Sequence, residues 1–129
     1  MVPFRLSPQP GVPIGEQVVF AAKKAIFGGR LRPGDPFPSV RALARAMKIH
    51  ANTAQKVISQ LVADGLLEVL PGIGTVVAHP PAPRGGRARL IARDVEQLTV
   101  QAMQLGVSLE DLRDAIGECW HRLAGEEVR

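Results

Sequence analysis

Apolar residues recur at helical spacing in three segments of the first half of the chain. The first segment covers residues 14–27 and ends at two adjacent glycines. The second covers residues 40–47 and follows Ser39, which is a good helix N-cap. A short turn at residues 49–51 separates the second segment from the third. The pattern predicts three helices, and the last two form a helix-turn-helix.

Two β-prone runs follow the third helix. They are LLEVL, residues 66–70, and TVVAH, residues 75–79, and the tetrapeptide PGIG lies between them. Such runs, joined by a tight turn that contains glycine, are typical of a β-hairpin. Three helices followed by a hairpin predict a winged helix-turn-helix, a mainly α fold with a small β-hairpin as its wing. We assign residues 1–78 to this domain.

The chain after the hairpin predicts a linker and two more helices. Residues 79–89 contain three prolines, two adjacent glycines and three arginines, a composition typical of a linker. In residues 90–129, apolar side chains recur in steps of three and four on both sides of Gly106. We predict two amphipathic helices here, and Ser108 as the N-cap of the second.

A hairpin of two amphipathic helices has no third layer to cover its apolar stripe. Pairing with the same hairpin of a second chain gives a four-helix arrangement, which is the simplest solution. We therefore predict a symmetric homodimer. We interpret Cys119 as a residue of core or interface packing, and Met103 and Trp120 as core residues rather than ligand contacts. The predicted dimerisation residues are Leu98, Ala102, Leu105, Leu109, Leu112, Ile116 and Trp120.

The net charge of +4 is unevenly distributed along the chain. Residues 1–80 contain nine Lys or Arg and four Asp or Glu, whereas residues 94–129 contain three Arg and eight acidic residues. A basic front half indicates that this part approaches a polyanion, although a random distribution of surface charge is the alternative.

The composition favours a protein of the cytoplasm. The single cysteine excludes an intramolecular disulfide framework, and this indicates a reducing compartment. No segment reaches the roughly 18 apolar residues of a membrane span. The N-terminal residues include prolines and no apolar run of signal-peptide length. We therefore expect no membrane partner.

Residues 48–57, KIHANTAQKV, carry amide, hydroxyl and ammonium groups but no carboxylate. A helix start ordinarily favours Asp or Glu, so their absence indicates that a partner supplies the negative charge. In a helix-turn-helix, the second helix lies in the major groove of DNA with its first residues at the base edges. Asn and Gln suit adenine, Thr suits the thymine methyl group, and Lys suits a phosphate. The candidate DNA-binding residues of this segment are His50, Asn52, Thr53, Gln55 and Lys56.

The preceding helix and the wing add further candidates. Arg41 lies one turn into the preceding helix, where a guanidinium group can reach a phosphate or a guanine edge. At the tip of the wing, Gly72, Ile73 and Gly74 bring bare backbone N–H groups close to a partner. In a wing, that partner is the minor groove or its phosphates.

Several of these residues have a simpler structural explanation. In this alternative, Asn52 or Thr53 merely caps the helix and the remaining polar residues are solvated. In the same alternative, His50 is a turn residue rather than a base contact. The two glycines of the wing suit a plain tight turn, because glycine adopts positive φ without steric cost.

Four motifs mark the segment from Pro13 to Ala78. They are G-x-L-x-P-G-D, then P-S-x-R-x-L-A, then N-T, then a glycine-containing wing before a valine-rich strand. With these motifs the segment resembles the GntR-type winged-helix domain of bacterial transcription regulators. The short pair of helices after it resembles the YtrA-type subfamily, in which this tail dimerises and is too small for a large effector pocket.

The resemblance implies which residues contact DNA, and it also shows two departures. Many relatives have arginine where this chain has Ala51, and their wings often carry basic residues where this chain has Pro71 and Ile73. The helix is therefore expected to contribute more of the affinity than the wing. The residues on DNA-contacting positions of the family are Arg41, Asn52, Thr53, Gln55, Lys56 and Gly72.

An enzyme is the competing class. The three histidines are scattered, Cys119 and His121 face different ways on one helix, and no carboxylate completes a triad or a metal site. We predict no catalysis, no metal and no cofactor.

We expect a homodimeric DNA-binding transcription regulator, a repressor rather than an activator, on an inverted-repeat operator. The alternative is a winged-helix module that binds protein or RNA. The sequence leaves the existence of a small-molecule effector open.

Overall fold

The computed structural model describes residues 4–6, 9–79 and 87–125. These residues form helices and one two-stranded antiparallel sheet, which confirms the mainly α fold with a small hairpin. Among the described helices, none is long and apolar enough to cross a membrane. The elements are α1 (Ile14–Phe27), α2 (Val40–Met47), α3 (Ala51–Ala63), β1 (Leu67–Leu70), β2 (Gly74–Val77), a short 3-10 helix (Arg87–Ile91), α4 (Ala92–Gln104) and α5 (Leu109–Leu123).

The chain divides into two compact units. The N-terminal unit contains α1, α2, α3 and the hairpin, and the C-terminal unit contains α4 and most of α5. Of the predicted linker, residues 80–86 lie outside the described residues. Its last residues, 87–89, lie in the short 3-10 helix rather than in an irregular linker.

Helix α3 is the central element of the N-terminal unit, because it packs against both α1 and α2. Its apolar side chains Ala54, Val57, Ile58 and Leu61 are buried, as their helical spacing predicts. Leu43 of α2 is fully buried in the same core. Burying a side chain of this size contributes about 1.5–3 kcal/mol, so these contacts fix the position of α3 and leave its opposite face free.

Two serines cap helices, as the sequence predicts. The Ser39 hydroxyl oxygen accepts a hydrogen bond from the Ala42 backbone N–H at 3.1 Å, at the start of α2. The Ser108 hydroxyl oxygen accepts one from the Asp111 N–H at 3.1 Å, at the start of α5. Each cap satisfies a backbone donor that has no partner within the helix and contributes about 1 kcal/mol.

Helix α2 ends at Lys48, which adopts the left-handed conformation with φ 56° and ψ 49°. Within the described part of the chain, it is the single residue other than glycine with positive φ. The N–H of Ile49 donates to the Ala44 carbonyl oxygen at 3.0 Å, which closes the helix in a Schellman motif. At the equivalent positions after α1 and α3, the chain has Gly29 and Gly65. The turn of the helix-turn-helix therefore contains a strained lysine.

Substitution Lys48→Gly is expected to raise the free energy of unfolding by about 0.5–1 kcal/mol. A left-handed residue with a Cβ costs about 1–2 kcal/mol, and the greater freedom of glycine in the unfolded chain offsets roughly half of that. Urea unfolding of the full chain, followed by circular dichroism, measures the change. Lys48→Ala, which retains the Cβ, is the control and should show no such gain. A less stable Lys48→Gly variant would contradict this account of the turn.

The two strands of the wing pair in one register, with Leu67 opposite Val77 and Leu70 opposite Gly74. At the tip, the Ile73 N–H donates to the Leu70 carbonyl oxygen at 3.1 Å. Gly72, the third residue of this turn, has φ 77°. Proline before a glycine of positive φ is the arrangement of a type II turn. The predicted hairpin and its tight turn are confirmed.

The proline-rich segment before α2 extends the wing. The Phe37 N–H donates to the Thr75 carbonyl oxygen, and the Val77 N–H donates to the Asp35 carbonyl oxygen, both at 2.9 Å. The side chain of Phe37 is buried in the core of the unit. Residues 34–37 therefore pair with β2 and fix the wing to the helices.

The C-terminal unit leaves most of its apolar side chains exposed. The exposed fraction is 69% for Trp120, 71% for Leu105 and 74% for Met103. Among the described residues of α4 and α5, only Ala102 is buried. The interpretation of Met103 and Trp120 as core residues is therefore wrong within a single chain, because two helices provide no layer that covers them.

Candidate nucleic-acid interface

One face of α3 is polar and exposed over two helical turns. Its residues Asn52, Gln55, Lys56 and Ser59 follow one another at positions i, i+3, i+4 and i+7, so their side chains lie on the same side of the helix. All four are exposed, and the opposite side of α3 is buried in the core. We call these four residues the recognition stripe.

The start of α3 has neither a capping side chain nor an acidic residue in its first turn. His50 is the N-cap residue, and its side chain makes no capping hydrogen bond. The alternative in which Asn52 or Thr53 caps the helix is therefore wrong. The first N–H groups and the positive end of the helix dipole are left for an anionic partner.

Thr53 is half-buried and differs in this respect from the recognition stripe. A Cβ added at Gly15 of α1 would lie 3.4 Å from Thr53 Cγ2. The methyl group of Thr53 therefore faces α1, and the hydroxyl remains as the group that a partner can use. Contact between this methyl group and thymine stays a prediction from the sequence, and the geometry favours a packing role.

Two members of the recognition stripe are joined by a hydrogen bond. The Gln55 Nε2 donates to the Ser59 Oγ at 3.2 Å. Ser59 is not among the candidate residues predicted from the sequence. Its position four residues after Gln55 and seven after Asn52 is the signal that identifies it.

Exposed cations lie on α2, on the turn and on α3. Among the described residues, the ion pair in the structure joins Lys23 Nζ and Asp64 Oδ2 at 3.0 Å. It includes none of these exposed cations. A cation without a carboxylate partner is free to neutralise a phosphate and release its counterion. These exposed cations are Arg41, Arg45, Lys48 and Lys56.

The acidic residue that ends α3 is neutralised by α1. The hydrogen bond from Lys23 lowers the pKa of the Asp64 carboxyl group below its usual value, against a smaller opposing effect of desolvation. The Gln60 Nε2 also donates to this carboxylate, at 2.9 Å. Asp64 is therefore ionised near neutral pH, and its charge is balanced within the N-terminal unit.

The tip of the wing carries no charged side chain. Gly72 and Gly74 have φ values of 77° and 114°, so the turn itself requires glycine at both positions. Ile73 is 73% exposed. The tip offers a partner backbone groups and one apolar side chain, and DNA contact by these three residues stays a prediction.

The described residues contain no cluster of three or more His, Cys, Asp or Glu side chains that could hold a metal ion. His50 and His79 are exposed; His50 directly precedes α3, and His79 follows β2. Cys119 is a half-buried free thiol on α5.

Two helices joined by a tight turn, an exposed polar stripe on the second helix and a β-wing define a winged helix-turn-helix protein. The family model described as bacterial regulatory proteins, gntR family, matches residues 14–77, from the first residue of α1 to the last residue of β2. The chain belongs to this GntR family, and the resemblance found in the sequence is confirmed.

Relatives with known names and structures agree with this assignment. The HTH-type transcriptional repressor YtrA of Bacillus subtilis (strain 168) is 33% identical over 117 residues, which cover 89% of this chain and 90% of YtrA. The solved structure of a transcriptional antiterminator from Listeria monocytogenes EGD-e has a TM-score of 0.81 at 23% identity. The match covers 98% of this chain and 96% of that chain, so the two proteins share a fold. The structure of AraR(DBD) in complex with operator ORX1 has a TM-score of 0.51 at 30% identity and covers 57% of this chain and 93% of that domain.

Proposed function

We propose that this protein is a homodimeric, sequence-specific transcription regulator that represses genes from an inverted-repeat operator in the cytoplasm. The recognition stripe carries the proposal, because it is an exposed, acid-free helix face with two amides and a lysine next to a free helix start. Similarity to the repressor YtrA and to a domain solved with its operator supports it.

Each residue of the interface has a proposed task. Asn52 and Gln55 contact adenine edges in the major groove, since each amide offers a donor and an acceptor to the adenine N7 and N6 groups. Lys56 binds a phosphate, and Arg41 binds a phosphate or a guanine edge. His50 and the wing tip lie at the margin of the contact and contribute less.

The exposed apolar side chains of α4 and α5 support the proposed dimer. Leu98 and Ile116 are 42% and 48% exposed in the single chain, and Trp120 is 69% exposed. A second copy of the same two helices covers these side chains and completes a four-helix arrangement. Dimerisation then places two recognition stripes in successive major grooves, so the half-sites are about one helical turn apart.

Substitution Lys56→Ala is expected to weaken binding to all DNA sequences by a similar factor. A phosphate contact carries no sequence information, so the ratio of specific to non-specific affinity should stay unchanged. The slope of log K against log salt concentration should become less steep by about one unit. Titration of duplex DNA at several salt concentrations measures both quantities. A change in base preference would instead place Lys56 on a base.

Competition between nucleic acids tests the proposal against the alternative of an RNA-binding or protein-binding module. The full-length protein is titrated with labelled duplex DNA, and duplex RNA of the same sequence is added as a competitor. We expect the RNA to compete poorly, because the major groove of A-form RNA is too narrow and deep for a helix. Equal competition would indicate a merely basic surface. Absence of binding to either duplex would favour a protein partner.

A further inference from the structure

We propose that Ser59 is a positioning residue that holds the Gln55 amide ready for contact with an adenine in the major groove. The inference rests on the proposed function of the recognition stripe and adds a determinant of its specificity. Ser59 itself touches no base in this account and acts through Gln55.

The hydrogen bond between the two side chains leaves the required groups of Gln55 free. A glutamine amide has two N–H donors and one oxygen that accepts. One N–H is donated to the Ser59 Oγ at 3.2 Å, so the second N–H and the Oε1 remain available. Adenine presents an acceptor at N7 and a donor at N6, and a glutamine recognises it with one donor and one acceptor. The bond therefore orients the amide without using the groups that contact the base.

Prior orientation matters because Gln55 is a long and exposed side chain. An exposed side chain of this length loses rotamer freedom when it binds, which weakens binding. The helix holds residues four apart at a fixed distance, so Ser59 restricts Gln55 before DNA arrives. Asn52 and Lys56 make no hydrogen bond to another described side chain. Within the recognition stripe, Gln55 is therefore the contact residue that a neighbouring side chain orients before DNA binds.

The first arm of the test compares Ser59→Ala with the native protein. The relevant base pair is the operator position whose preference disappears in Gln55→Ala. For each protein, Kd is measured for the operator, for the operator with that base pair exchanged, and for unrelated DNA. We expect Ser59→Ala to lower the discrimination at this position about threefold and to leave the affinity for unrelated DNA unchanged. Ser59→Thr retains the hydroxyl and should restore the discrimination.

The second arm distinguishes positioning from direct contact. If Ser59 acts through Gln55, the double variant Gln55→Ala/Ser59→Ala should discriminate as Gln55→Ala does alone. Additive losses in the double variant, a uniform loss on all DNA, or full discrimination in Ser59→Ala would each overturn the proposal. In those cases the native protein still selects an operator, so the proposed function stands. A native protein that discriminates at no position would refute the proposed function, and this inference with it.

Discussion

Leu98→Glu is expected to convert the protein from a dimer to a monomer at micromolar concentration and to lower its operator affinity about 100-fold or more. Leu98 is a half-exposed residue of the apolar stripe on α4, and a carboxylate there would be buried without a partner in the dimer. A monomer binds each half-site separately and loses the high effective concentration of the second site. Sedimentation velocity measures the first effect, and titration of the operator measures the second.

Val100→Glu is the matched control for this experiment. Val100 is 58% exposed on the same helix, and its position two residues after Leu98 puts it on the opposite side of α4. This variant should remain a dimer and bind the operator as the native protein does. A dimeric Leu98→Glu variant, or equal loss in both variants, would contradict dimerisation through the apolar stripe.

Gln55→Ala and Arg41→Ala are expected to cost about 1–3 kcal/mol of operator binding free energy each. The Gln55→Ala variant should lose the preference for adenine at one position of each half-site. The Arg41→Ala variant should lose the preference for guanine at one position if the Arg41 guanidinium group contacts the base edge. Affinities for a panel of single-base operator variants, measured for each protein, give the loss and the position.

Gln60→Ala is the control for these substitutions. Gln60 is an exposed glutamine on the same helix as Gln55, but its amide is engaged by a hydrogen bond to the Asp64 carboxylate at the end of that helix. Its replacement should leave the base preferences unchanged. If Gln55→Ala weakens binding to every operator variant equally, Gln55 contacts the DNA backbone and the proposed adenine contact is wrong.

The helices and the hairpin could be predicted from the sequence because their signals are local. Buried Ala54 and Leu61 lie at the helical spacing that identified α3, and Ser39 caps α2 through its own side chain. The dipeptide Pro71-Gly72 specifies a type II turn by the φ values that the two residues prefer.

Non-local pairing was not predictable in the same way. Residues 34–37 pair with β2 some forty positions later in the chain, and no local pattern marks that pairing. The Phe4 side chain is buried and stacks on Phe37 with 6.1 Å between ring centroids, although it lies outside every periodic segment. Lys48 adopts positive φ without a glycine to signal it.

The residue types of the candidate interface could be predicted from the sequence, but the contacts between their side chains could not. The acid-free start of α3 and the exposure of Asn52, Gln55 and Lys56 agree with the sequence pattern. The packing of the Thr53 methyl group against α1 depends on a close approach to Gly15 that only the tertiary structure shows. The pairing of Ser59 with Gln55 likewise depends on a side-chain conformation.

Selection of binding sites from randomised duplex DNA by the full-length protein, at two salt concentrations, measures whether the protein recognises a particular DNA sequence. For a dimeric, sequence-specific regulator, we expect enrichment of an inverted repeat with half-sites about one helical turn apart, at both salt concentrations. Salt-sensitive binding without enrichment of any sequence would contradict it. That result would mean that the recognition stripe binds DNA only through its charge, as part of a basic surface, and does not distinguish between base sequences.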